Sequence, residues 1–168
     1  MKQFFASFYW NDQLAGESRL MRAMSALRNE IAELPEGYAL TDIEPDGFMT
    51  YSNVTHYPVG GGRLNKHQDP PNKQFAVIIA SMSKKGSDFH TGGFYVEYDG
   101  TRIDVDEQLD IGDIYLMNPS CVHGVATIDP SNSPDWSTER GRWILFPALI
   151  EIKSVLGDKV EGLRDLEK

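Results

Sequence analysis

His67 and Asp69 stand two apart in the stretch LNKHQD, Leu64 to Asp69. On an extended backbone residues i and i+2 share a face, so an imidazole nitrogen and a carboxylate oxygen lie side by side. Those are two of the three ligands of a 2-His-1-carboxylate metal site. The third must come from far along the chain, and His123, within NPSCVHG, sits where a loop runs into an apolar strand. Three protein ligands leave positions on the ion open to other molecules. The same donors suit Fe(II) and catalytic zinc, so the ligands alone do not choose the metal. Ahead of the pair, the run Gly60 to Gly62 supplies a tight turn, since glycine takes positive φ at little cost. His56 and His90 have no partner recognisable from the sequence and are assigned to no metal.

Further elements surround these residues in a fixed order: Tyr57, His67 and Asp69, Gly92-Gly93, Gly112-Asp113, His123-Gly124-Val125, then Gly141-Arg142-Trp143. From about Tyr51 to Phe146 this order resembles the Fe(II)- and 2-oxoglutarate-dependent dioxygenases, and within them the prolyl-hydroxylase type. The resemblance implies Fe(II) on His67, Asp69 and His123. It implies 2-oxoglutarate and O2 as co-substrates, ascorbate as a reductant, and C–H hydroxylation with succinate and CO2 as co-products. The far carboxylate of 2-oxoglutarate needs a fixed cation, and a guanidinium offers it a planar, two-pronged partner. Arg142 is expected in that role because Gly141-Arg142-Trp143 fits the family pattern; Arg140, two residues earlier, is its competitor. Tyr57 resembles the tyrosine that contacts the co-substrate near iron. The family's tyrosine on the strand after H-x-D finds only Ser81 here. With Asp69 in the carboxylate position, halogenation is disfavoured.

Composition narrows the rest. The chain of 168 residues carries 16 basic and 25 acidic side chains, a net charge of −9, which argues against nucleic acid or an anionic membrane as a general partner. A single cysteine, Cys121, excludes an internal disulfide framework and a cysteine-rich zinc site. No apolar stretch approaches ~20 residues and the N-terminal run is too short for a signal peptide, so a cytoplasmic location is expected. One domain is expected over 1–168: a strand and helix in 1–47, a β-rich core in 48–152 and a charged tail in 153–168. The chain is barely larger than such a core and shows no recruitment domain, so a free small molecule, an amino acid or biosynthetic intermediate, is the expected substrate. A protein residue as substrate, a cupin-like metal enzyme without 2-oxoglutarate and a non-catalytic β-sandwich are the alternatives.

The elements that must position these residues read as mainly β. Strands are expected at Gln3–Tyr9, Met49–Tyr57, Leu64–Asp69, Phe75–Met82, Gly93–Tyr98, Arg102–Val105, Ile114–Met117, Val122–Ile128 and Arg142–Ile152, with a hairpin turn at Asp99-Gly100. From Met49 on, eight short strands separated by turns suggest a double-sheet jelly roll with a site in its mouth. The family resemblance implies the same cupin-like fold, a double-stranded β-helix with a supporting N-terminal helix. In that helix Leu20, Met21, Met24, Leu27, Ile31 and Leu34 form an apolar stripe, with Arg22, Arg28, Glu30 and Glu33 around it, ended by Pro35 and Gly37. Phe94, Tyr95 and Trp143 are expected in the core, and a short helix in Val155–Leu166. The polar insertion from Asp129 to Glu139, anchored by Trp136, is expected as a lid, and Pro70 to Lys73 as a second rim.

Overall fold

The computed structural model describes residues 2–7, 15–70 and 76–152. Among these, nine strands form two sheets. The larger runs in the order β1 (Gln3–Ser7), β2 (Phe48–Pro58), β9 (Gly141–Glu151), β4 (Val77–Ser81) and β7 (Ile114–Met117). The smaller runs β3 (Leu64–His67), β8 (Val122–Ala126), β5 (Gly93–Tyr98) and β6 (Thr101–Asp104). Every pairing is antiparallel. From β2 on, the chain crosses repeatedly between sheets, leaving only β5 and β6 consecutive in one of them, which is jelly-roll winding. The β5–β6 hairpin turns at Asp99 (φ 48°) and Gly100 (φ 72°), the two positive φ angles that a tight two-residue turn requires.

Strand register decides what faces the space between the sheets. β2 sets Tyr57 against Arg142, Thr55 against Ile144 and Asn53 against Phe146. β4 and β7 set Ile79 against Tyr115 and Val77 against Met117 on the same face. From the smaller sheet, Phe94, Val125 and His123 face them, and Ile79, Phe94, Val125, Ile128 and Ile144 close the inner core. This face therefore carries the apolar packing and the polar groups of the site together.

The outer face of the larger sheet is covered by α1 (Ala15–Ile31), whose Met21 and Met24 pack on Ile78, Ala80 and Leu145. Each methionine so buried contributes ~1.5–3 kcal/mol. The buried face differs from the expected stripe: Met21, Met24, Ser25 and Arg28 point inward, while Leu20, Leu27 and Ile31 are exposed. Arg28 is fully buried because its guanidinium donates to Asn29 Oδ1 through Nε and Nη2 and to Thr50 Oγ1 of β2 through Nη1. Hydrogen bonding to the sheet thus overrides hydropathy in choosing the face. The helix also ends before Pro35. Leu34 N–H donates to Asn29 C=O and Glu33 N–H to Glu30 C=O, a Schellman cap with Glu33 at φ 55°.

Strand ends shift by a few residues. β3 stops at His67, so Asp69 lies just past it, with its N–H donating to Pro119 C=O; β8 stops at Ala126. Phe8, Tyr9, Phe75, the rim residues Pro71 to Lys73 and the tail 153–168 lie outside the described residues. Among the described residues no helix is long and apolar enough to cross a membrane.

Candidate metal centre

β3 and β8 pair His67 directly with His123, and their rings sit 4.3 Å apart. Each imidazole Nδ1 lies 2.8 Å from the carbonyl two residues earlier, His67 on Asn65 and His123 on Cys121. A carbonyl only accepts, so Nδ1 carries the proton and Nε2 presents its lone pair. Both Nε2 atoms turn to Asp69, at 3.5 Å from Oδ1 for His67 and 3.7 Å from Oδ2 for His123. These separations exceed a hydrogen bond. They lie near those of donors sharing one ion, since bonds of about 2 Å place neighbouring ligand atoms roughly 3–3.5 Å apart. The three ligand atoms fall within 4.8 Å of one another. Burial lowers the His123 pKa, opposed by the Cys121 carbonyl, lowered further by His67 and raised by Asp69; the net shift is downward and favours the neutral, ligating form.

The cluster stands at one side of a cavity of about 260 Å³ between the sheets. His67 and Asp69 lie at its accessible part, with side chains 35% and 26% exposed, whereas Arg142 is 2% exposed. Arg142 is the first side chain of β9 after Gly141, whose φ of 141° and close approach to the Tyr57 carbonyl leave no space for a Cβ. Its guanidinium pairs with the Asp106 carboxylate, Nε to Oδ2 at 2.7 Å and Nη2 to Oδ1 at 3.0 Å. Nη2 also donates to Tyr115 Oη at 3.0 Å. Burial alone would lower the Arg142 pKa, but Tyr115, Asp106 and Tyr57 around it raise it above its ordinary value, so the charge stays. Burial pushes Tyr57 up to about 12 and raises Tyr115 as well, against the opposing pull of Arg142, so both hydroxyls keep their protons at neutral pH.

The cavity therefore holds a metal-ligand cluster and, deeper, a guanidinium flanked by two phenols. Phe94 stands between them, 5.4 Å from the Arg142 guanidinium carbon and 5.9 Å from the His123 ring, ring centres being used in both cases. It lines the cavity as well as filling core. Tyr95 instead lies under the Arg102 guanidinium, and Trp143 stacks on His56 at 4.0 Å and on Phe5 at 6.5 Å. His56 is buried with Nδ1 at Gln3 Oε1 and Nε2 at the Arg140 carbonyl, a structural histidine.

Of the residues expected from the sequence, His67, Asp69, His123, Tyr57 and Arg142 share this cavity. Ser81 does not line it; its hydroxyl donates to the Ser83 carbonyl. Tyr115 of β7, paired with Ile79, lines the cavity and bonds to Arg142 instead, a residue that no pattern in the apolar run IYLM singled out. Arg140 precedes β9 and is exposed. Lys2, Tyr51 and Asn53 also line the cavity, Lys2 one step beyond the Gln3–His56 pair. Burial lowers the Lys2 pKa while Asp69 opposes it.

The insertion after Asp129 is not a lid on this cavity. It leaves β8 at the Ala126 end, away from His123, and none of residues 129–139 lines the cavity. Its base is pinned where Asp129 accepts from His90 N–H, Thr91 N–H and Thr91 Oγ1. Trp136, the expected anchor, is 40% exposed, and its carbonyl accepts from Gln3 Nε2.

No protein-family model matches this sequence, and no curated protein matches it. Solved structures do match. A prolyl-4-hydroxylase from Pseudomonas putida superposes with a TM-score of 0.57 at 14% identity, over 90% of this chain and 72% of its own. A prolyl hydroxylase from Trichoplax adhaerens, solved with a hypoxia-inducible-factor oxygen-degradation-domain peptide, gives 0.57 at 12% identity, over 94% of this chain and 66% of its own. With its two-sheet winding and order of strands, the chain has the jelly-roll fold of these prolyl hydroxylases.

Proposed function

We propose that this protein is an Fe(II)- and 2-oxoglutarate-dependent oxygenase that hydroxylates an unactivated C–H bond of a small molecule. One observation carries the reading: a His67–Asp69–His123 cluster and a buried Arg142 with two protonated phenols line a single cavity. The donor set fits the metal. Two neutral imidazoles and one carboxylate, each histidine oriented through its Nδ1–H, form a ligand set with positions left for exogenous donors. Zinc would accept the same ligands, but a zinc hydrolase gives no role to a fixed guanidinium deeper in the cavity. A dicarboxylate does, because one end can bind metal while the other meets the guanidinium.

In this reading His67, Asp69 and His123 hold Fe(II), and Arg142 Nη1 with the Tyr57 and Tyr115 hydroxyls holds the far carboxylate of 2-oxoglutarate. Phe94 flanks the carbon chain between them and helps keep water out. When bound, iron with 2-oxoglutarate and O2 supplies the oxidation: one oxygen atom enters succinate as CO2 leaves, and the other enters the alcohol. Ascorbate is the expected external reductant. The protein's own work is positioning, presenting one C–H bond in a dry pocket beside the metal. The cavity is small and its remaining polar lining is Lys2, Tyr51 and Asn53, which suits a free amino acid or biosynthetic intermediate. Succinate formation by the Fe(II)-loaded protein tests this. We expect stimulation by a free small molecule within a panel that also contains peptides. Stimulation by peptides alone would reassign the substrate class, and a protein that never consumes 2-oxoglutarate would overturn the reading.

A further inference from the structure

Arg142 is a held group. Asp106 grips one edge of its guanidinium through two near-parallel bonds, Nε to Oδ2 at 2.7 Å and Nη2 to Oδ1 at 3.0 Å. That is the fork-on-fork geometry that fixes a guanidinium's rotation as well as its place. The carboxylate is fixed in turn, since Phe94 N–H donates to Oδ2 at 2.6 Å. Gly93, at φ 111°, makes the approach possible: a Cβ there would stand 2.6 Å from the same oxygen. Asp106 is buried just after β6 of the smaller sheet, whereas Arg142 belongs to β9 of the larger. The pair therefore bridges the two sheets at the deep side of the cavity.

Three of the five guanidinium hydrogens are thereby engaged, two on Asp106 and one on Tyr115. Among the described residues the two on Nη1 have no protein acceptor, and Arg142 lines the cavity. Tyr115, having accepted from Nη2, keeps its own hydrogen to give. We infer that Asp106 is a positioning residue for the co-substrate: it clamps the guanidinium so that Nη1, together with the Tyr115 hydroxyl, points into the cavity. The inference rests on the 2-oxoglutarate reading. It carries a consequence that a free arginine would not. Because Asp106 already balances the Arg142 charge, the far carboxylate is held by aimed hydrogen bonds more than by net charge. Moving the clamp without changing its charge must then weaken binding.

Asp106→Glu makes that move by one methylene. Asp106→Asn is the contrasting change: it keeps the shape but removes one acceptor and also the charge that balances Arg142, so its lost bond is opposed by a stronger pull on the far carboxylate. For Asp106→Glu, loaded anaerobically with Fe(II) and titrated by its visible metal-to-ligand band, we expect 2-oxoglutarate to bind about ten- to a hundredfold more weakly, as for the loss of one hydrogen bond to a charged group. The affinity for Fe(II) should not change. Neither should the affinity for 2-oxobutyrate, which chelates metal alike but has no second carboxylate. A folded Asp106→Glu that binds 2-oxoglutarate as the wild type does overturns the inference, as does an equal loss for both acids. Wild-type protein that fails to prefer 2-oxoglutarate over 2-oxobutyrate fails the underlying reading instead. Should neither variant fold, arginine side-chain NMR of the wild type decides. Separate Nη–H signals for Arg142 before co-substrate is added show a clamped guanidinium; rotationally averaged signals contradict it.

Discussion

Asp69 ties the residues of the metal centre together, since both imidazole Nε2 atoms turn to its carboxylate. In the proposed centre, removing any of the three ligands costs more than the ~10–100-fold in metal affinity that follows loss of an outer partner. His123→Ala and Asp69→Ala should therefore weaken Fe(II) or Mn(II) binding beyond that range, as read by calorimetry, while far-UV circular dichroism stays that of the wild type. Retained affinity in His123→Ala would move the third ligand elsewhere. That His67 and Asp69 fall together was legible in the sequence, because residues two apart face one way on an extended backbone; His123 was found by its place where a loop enters a strand, and the structure brings all three within reach of one another. Tyr115 and Asp106 were not legible: they lie 27 and 36 residues from Arg142, and Tyr115 meets it only through the strand order β9-β4-β7 within one sheet, Asp106 only once the two sheets are stacked. Ser81 was misplaced for the same reason. Sequence proximity to H-x-D put a polar residue on β4, while the hydroxyl comes from β7 across the ladder.

At the scale of elements, short apolar and aromatic runs such as IYLM and GFYVEY, set between turn residues, located the strands, and Asp99-Gly100 located a turn. The face of α1 was harder, since hydropathy favoured Leu27 and Ile31 and hydrogen bonding placed Arg28 inward instead. The insertion between β8 and β9 was misjudged because a sequence does not show at which end of a strand pair a loop emerges. Its role in the structure is to be tied down. Asp129 accepts three hydrogen bonds from His90 and Thr91, and its removal leaves those donors short of an acceptor. Asp129→Ala should cost about 1–3 kcal/mol of stability in denaturant unfolding. Shortening Ser131 to Ser137 should leave Fe(II) and 2-oxoglutarate affinities where they were. An increase in the 2-oxoglutarate dissociation constant on shortening would restore the loop to the site.

For the whole molecule, the cavity exists because two sheets of unequal width face each other, and both contribute to the site. His67 and His123 come from the smaller sheet, Tyr57, Tyr115 and Arg142 from the larger. A metal held by His67 and Asp69 at the end of β3 and by His123 on β8 would find its ligands together only in the folded chain. At a free concentration a hundred times its dissociation constant it should add about 2.7 kcal/mol, roughly 5–11 °C in melting temperature for a chain of this size. Stripping it with a chelator should reverse the gain, and a melting temperature indifferent to Fe(II), Mn(II) and chelator would argue against a built metal site. The central claim is that one cavity joins this metal to a dicarboxylate through Arg142. Anaerobic titration of Fe(II)-loaded protein with 2-oxoglutarate, comparing wild type, Arg142→Ala, Arg142→Lys and Arg140→Ala, tests it most directly. Wild type and Arg140→Ala should bind alike. Arg142→Ala should lose about two to three and a half decades of affinity, since breaking a buried charged pair costs roughly 3–5 kcal/mol, and Arg142→Lys should recover part of it, having charge without the planar fork. If Arg142→Ala binds 2-oxoglutarate as tightly as the wild type, the co-substrate assignment is wrong.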